Sequence, residues 1–136
     1  MSAAAEVLAA VIAAKAGGEN RPGQEAMCAA VDDAVASRAH LLLEAPTRVR
    51  KSLGYLPPAV AHARGTPDGV VVVVTATKGL QEQLTRDDLP TLAAAVPGRS
   101  LRFAMLKGRS NYLCRAKLDV TMVDGVEARL DFGDDG

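Results

Sequence analysis

Apolar residues recur along this chain in two rhythms. Leu8, Val11 and Ile12 keep helical spacing within residues 3–16 and predict a helix, with Gly17 and Gly18 stopping it. Residues 19–23 read as a polar turn around Pro22. Residues 24–37 return to the helical period, with Met27, Ala30, Val31, Ala34 and Val35 on one face. His40-Leu41-Leu42-Leu43 is a short apolar run that predicts a buried strand, and residues 44–52 a loop and turn. Residues 51–64 resume the helical pattern despite Pro57 and Pro58, which stand near its first turns. After the break Gly65-Thr66-Pro67-Asp68-Gly69, five valines and Thr75 predict the strongest strand, residues 70–75. A run that apolar without alternation reads as covered on both faces, as in a parallel sheet. Residues 77–84 and 89–95 predict two further helices, and 101–106 a third strand. Strands alternating with helices predict an α/β fold with a short parallel sheet.

The chain's 136 residues are about one domain's worth, enough to bury roughly two-thirds of the unfolded surface. With aromatics at 3% and no Trp, the core must be built from Ala, Val and Leu. Sixteen basic and sixteen acidic side chains cancel, so bulk charge gives no argument for nucleic-acid binding. The charge is nevertheless segregated. Residues 99–117 hold six basic residues and no acidic one, whereas 119–136 hold six acidic residues and Arg129. The basic stretch fits a DNA-facing patch or a solvated edge equally. Two cysteines, Cys28 and Cys114, make neither a disulfide framework nor a metal cluster. Cys28 beside Met27 reads as core, Asp32-Asp33 as an exposed helix face, and His40 and His62 as structural or solvated. The N-terminal residues lack the pattern of a signal peptide. The longest uncharged apolar run, Val70–Val74, is far too short to cross a bilayer. The expectation is a cytoplasmic protein with no membrane partner.

Between the first predicted strand and its helix stands Glu44-Ala45-Pro46-Thr47-Arg48-Val49-Arg50-Lys51-Ser52-Leu53. Strand, loop, Lys-Ser and helix is the order of a phosphate-binding loop. There, backbone N–H groups surround phosphates, lysine reaches their oxygens and serine binds Mg²⁺. Glycine is expected immediately before Lys-Ser, and Arg50 stands there; Arg48 takes a second glycine position. Glycine is favoured because the backbone must curl in conformations that a Cβ resists. By itself the loop reads as a degenerate phosphate loop or a basic solvated turn.

Other stretches narrow the choice. Arg21-Pro22-Gly23-Gln24 precedes the loop; Thr75-Ala76-Thr77-Lys78-Gly79-Leu80-Gln81-Glu82-Gln83-Leu84 follows the valines. Asp88-Leu89-Pro90 and Leu106-Lys107-Gly108-Arg109-Ser110-Asn111-Tyr112-Leu113-Cys114 come next. In this order they resemble the N-terminal part of the DinG/XPD-type superfamily 2 ATP-dependent DNA helicases, closest to the bacterial DinG branch. The likeness covers residues 7–118. It implies a partial RecA-like (P-loop NTPase) motor domain over 19–113, preceded by an N-terminal helix over 1–18. Residues 114–136 would then be the start of a cluster-domain-like insertion and an acidic tail.

The resemblance also implies roles. Arg21 and Gln24 would contact adenine. The loop Thr47, Arg48, Val49, Arg50, Lys51 and Ser52 would hold ATP, with Ser52 on Mg²⁺. Thr75, Thr77 and Gln81 would touch the backbone of single-stranded DNA. Cys114 matches the first of four iron–sulfur ligands. With two cysteines the chain cannot supply four thiolates, so no cluster is expected here. It carries no Asp-Glu-x-His box and no second motor domain, and phosphoryl transfer needs metal, positioned water and charge stabilisation together. The expectation is therefore a helicase segment that does not hydrolyse ATP alone and has no complete catalytic set. The remainder of a split helicase is a candidate partner. The alternative is a non-catalytic nucleic-acid-binding or helicase-interacting protein derived from such a domain. Thr75 and Thr77 read equally well as the end of a strand and the cap of the next helix.

Overall fold

The computed structural model describes residues 1–14, 18–19, 21–46, 49–96, 98 and 101–123, with side chains through residue 119. Its chain divides into two compact units, Met1–Met105 and Leu106–Gly136. The first holds helices α1 (Ala3–Ala14), α2 (Pro22–Ser37), α3 (Ser52–Gly65), α4 (Lys78–Gln83) and α5 (Leu89–Ala95). A π-helical turn, Leu84–Asp88, joins the last two.

Helix α3 is the centre of this unit, packed against both α1 and α2, while α5 packs on α1. Ala4, Val7, Leu8 and Val11 of α1 meet Leu53, Leu56 and Val60 of α3, and Cys28, Leu84 and Leu92 complete the core. These are the Ala, Val and Leu positions that a chain without Trp must use. Helix α2 starts two residues before its apolar pattern because Pro22 fills a first-turn position, where a missing N–H is lost to no partner. It ends at Arg38 in a left-handed conformation (φ 55°), whose N–H reaches back to the carbonyls of Ala34 and Val35. Pro57 and Pro58 lie inside α3 and are fully buried without breaking it. Lacking N–H groups, they leave the carbonyls of Leu53 and Gly54 without the usual helical donor.

The expected RecA-like α/β fold with a parallel sheet is not found. Among the described residues there is no strand; the structure is helical. The predicted strands are irregular segments open to solvent. Val70, Val72 and Val74 are 82%, 79% and 87% exposed, Val71 and Val73 about half as much, and Leu41, Leu42, Phe103, Met105 and Leu106 are exposed as well. The physical reason is that a strand is made by pairing. β-branched residues suit a pleated, half-buried surface, but they do not create one without a neighbouring backbone to bond.

The described residues of the second unit form a 3₁₀ turn, Arg109–Asn111, and helix α6 (Arg115–Val123). The Lys107 N–H donates to the Tyr112 hydroxyl at 2.9 Å, closing the turn on itself. Residues 124–136, with most of the acidic tail, lie outside the described residues. No helix among the described residues is long and apolar enough to cross a membrane.

Candidate nucleotide-binding site

The Lys51-Ser52 pair opens α3, a helix of 14 residues, so the backbone before it faces the positive end of a helix dipole. Arg50 bends the chain there with φ 53°, in the left-handed region. The sequence argument that this position wants glycine thus has a direct structural counterpart: the curl is present, and a Cβ-bearing residue carries it. Lys51 follows in right-handed helical conformation and is exposed; Ser52 is buried. Thr47 and Arg48 lie outside the described residues.

Gln24 reaches this loop from α2 and is only 2% exposed. Its carboxamide nitrogen donates to the carbonyls of Val49 (3.2 Å) and Arg50 (3.1 Å). The Arg50 carbonyl also accepts the Leu53 N–H at 3.1 Å, the bond that starts α3. Arg21 stands at the N-cap of α2, its guanidinium 3.6 Å from the Glu19 carboxylate. Gln24 and residues 49–50 are therefore brought together in contact.

Beyond the loop, Arg50, Lys51, Ser52 and Tyr55 form one wall of an open cleft of about 550 Å³, with Leu80, Gln83, Asp87 and Asp88 opposite. Asp88 is buried and accepts from the Gln83 carboxamide at 3.1 Å. The Tyr55 phenol is pushed above its ordinary pKa, first by burial and then by the Asp88 charge. Any anion entering the cleft meets two cationic side chains and a helix N-terminus on one side and two carboxylates on the other. Sequence reasoning gave Tyr55 and Asp87 no role and used Gln83 and Asp88 only as parts of motifs. More than 30 positions separate Asp88 from Tyr55, and no local pattern signals their meeting.

Of the residues expected at DNA, Thr75 and Thr77 sit on the approach to α4 and Gln81 lies within it. The Thr77 hydroxyl accepts the Leu80 N–H at 3.3 Å and caps that helix. The Thr75 hydroxyl donates to the Thr77 carbonyl at 3.2 Å, and Gln81 accepts the Thr85 hydroxyl on its carbonyl at 2.9 Å. The capping alternative read from the sequence is thus realised at Thr77. Cys114 is exposed in the second unit; Cys28 is buried in the first, and burial followed by the Asp32 charge pushes its thiol up to about 11. A four-thiolate cluster does not fit a chain with two cysteines. Among the described residues, no three His, Cys, Asp or Glu side chains gather as a metal site.

Curated relatives match most of the chain. The ATP-dependent helicase DinG of Mycobacterium tuberculosis is 48% identical over 117 residues, 83% of this chain and 17% of that protein. The 3'-5' exonuclease DinG of Bacillus subtilis is 40% identical over 103 residues, 76% of this chain and 11% of its own length. This chain is a DinG-type sequence. The ATP-dependent DNA helicase YoaA of Escherichia coli, 37% identical over 105 residues, extends the DinG likeness to a further branch, again over 16% of that protein. The chain spans less than one-fifth of the length of these DinG-type relatives. No family model matches it, and no solved structure matches it.

Proposed function

We propose that this chain is the nucleotide-facing segment of a DinG-type DNA helicase, binding ATP as its Mg²⁺ salt at residues 47–52 without hydrolysing it alone. One observation carries the reading: a left-handed bend at Arg50 set directly before Lys51-Ser52 at the start of a long helix. In that role the Lys51 ammonium meets the terminal phosphates, the α3 N-terminus adds its dipole, and the Ser52 hydroxyl takes Mg²⁺. Adenine lies toward the turn that begins at Arg21. Thr75, Thr77 and Gln81 face the backbone of single-stranded DNA, and the setting is the cytoplasm. Bound Mg²⁺-ATP would supply phosphoryl-transfer potential, which needs groups this sequence does not carry.

Calorimetric titration with Mg²⁺-ATP tests the site. Binding is expected to strengthen in the Arg48→Gly/Arg50→Gly double variant, which frees the backbone approach, and to vanish when Lys51→Ala is added. A double variant that still ignores ATP overturns the phosphate-loop reading.

A second reading, a non-catalytic interaction protein, is favoured by the open apolar segments at 41–42, 70–74 and 103–106. Its partner would be the remainder of a DinG-type helicase supplied as a separate chain, or nucleic acid. Co-purification of that remainder, or salt-dependent DNA affinity indifferent to nucleotide, would support it.

A further inference from the structure

We infer that Gln24 is a positioning residue for the phosphate loop: it sets the bend at Arg50 from beneath and does not read the base. The inference rests on the nucleotide-site reading above for its functional meaning, though not for its geometry. A glutamine carboxamide has two N–H protons. Here the nitrogen meets two carbonyls, Val49 at 3.2 Å and Arg50 at 3.1 Å, and the side chain is 2% exposed. Its donors are spent on the loop.

Those two carbonyls belong to the peptide planes on either side of Arg50. A trans peptide points its N–H opposite to its C=O. Drawing both carbonyls down to Gln24 therefore turns the N–H groups of Arg50 and Lys51 the other way, to the side of the loop remote from α2. The same Arg50 carbonyl takes the Leu53 N–H, so Gln24 also fixes the first turn of α3. That turn needs an outside hold. Lys51, at the N-cap, makes no side-chain capping bond, and Pro57 and Pro58 take the donors that would engage the carbonyls of Leu53 and Gly54. A left-handed arginine is uncommon and persists where its surroundings over-determine it. Two hydrogen bonds from the buried Gln24 carboxamide to its flanking carbonyls supply that determination.

The test uses the full chain with Gln24→Met, which keeps the shape and loses the donors, and Gln24→Glu, which sets carboxylate oxygens against the carbonyls. In the nucleotide-free state, amide hydrogen exchange at Leu53 should quicken about tenfold in Gln24→Met and more in Gln24→Glu, while Val11 in α1 stays unchanged. Unchanged exchange at Leu53 overturns the inference. Should both variants fail to fold, the unaltered chain decides it. The Gln24 side-chain amide protons should exchange slowly both before and after Mg²⁺-ATP is added, and their deprotection by ATP refutes the role. Affinities for inorganic tripolyphosphate, Mg²⁺-ATP and Mg²⁺-GTP supply the functional arm. Loop positioning weakens all three by one common factor in Gln24→Met and leaves the ATP-to-GTP ratio alone. A collapse of that ratio with tripolyphosphate untouched returns Gln24 to base reading and overturns the inference. If the unaltered chain binds none of the three, the nucleotide reading fails, and the exchange arm alone decides whether Gln24 holds the loop.

Discussion

At Gly54 two well-known effects oppose each other, and the geometry decides between them. Replacing a helical glycine by alanine ordinarily stabilises by about 1 kcal/mol, through backbone entropy. In α3 the new Cβ would stand 2.6 Å from Met27 Sδ, 2.8 Å from its Cγ and 3.1 Å from its Cβ. The thioether end can swing aside, but the Met27 Cβ is fixed to α2, so the two helices must separate. Overpacking of this kind costs about 1–3 kcal/mol. Gly54→Ala is therefore expected to destabilise by about 1 kcal/mol net, lowering the thermal midpoint by about 4 °C. Urea unfolding followed by circular dichroism measures it. Gly79→Ala, where a Cβ meets nothing within 4 Å, is the control and should lose nothing. A Met27→Ala background removes the two nearest atoms, Sδ and Cγ, and leaves only the Cβ contact at 3.1 Å, so Gly54→Ala should cost less there than in the unaltered chain. A stabilised Gly54→Ala in the unaltered chain would refute the close approach of α2 and α3, and with it the packing that presents Gln24 to the loop.

The bend at Arg50 makes the order of substitutions there a test. Arg50→Val forces a β-branched residue into φ 53° and should be less stable than Arg50→Gly by about 1–2 kcal/mol, whereas equal midpoints would deny the left-handed conformation. Iodoacetamide at neutral pH should modify Cys114 quickly and Cys28 only after unfolding, read by intact mass; early double labelling would contradict the burial of Cys28. Because the folded Cys28 thiol titrates near 11 against an ordinary 9.0, its contribution to stability is full below about pH 9. That contribution is lost as pH rises through 11, and Cys28→Ala should flatten the decline seen in urea midpoints.

The helices were legible because their signal is local. Leu8, Val11 and Ile12 gave α1, and the spacing from Met27 to Val35 gave α2 to within two residues at its start. The valine run misled because apolarity reports what a segment would bury, and only a neighbouring backbone decides whether it buries anything. Lys51 and Ser52 were legible at the head of α3, and the need for an unusual backbone at Arg50 was readable from the missing glycine. The contact between Gln24 and the loop was not. It joins atoms 25 and 26 positions apart, and the spacing of residue types cannot say which hydrogen-bonding partner a carboxamide takes. The meeting of Asp88 with Tyr55 was hidden for the same reason.

The valine segment sets a ceiling on how much of this chain can exist free. Five consecutive β-branched apolar residues, uncharged, without proline and open to water, are the composition that stacks into cross-β assemblies. Such stacking depends on encounters between copies, so the monomer's lifetime shortens as its concentration rises. Dilution, or a cover over residues 70–74, sets the chain's working range as much as its folding stability does.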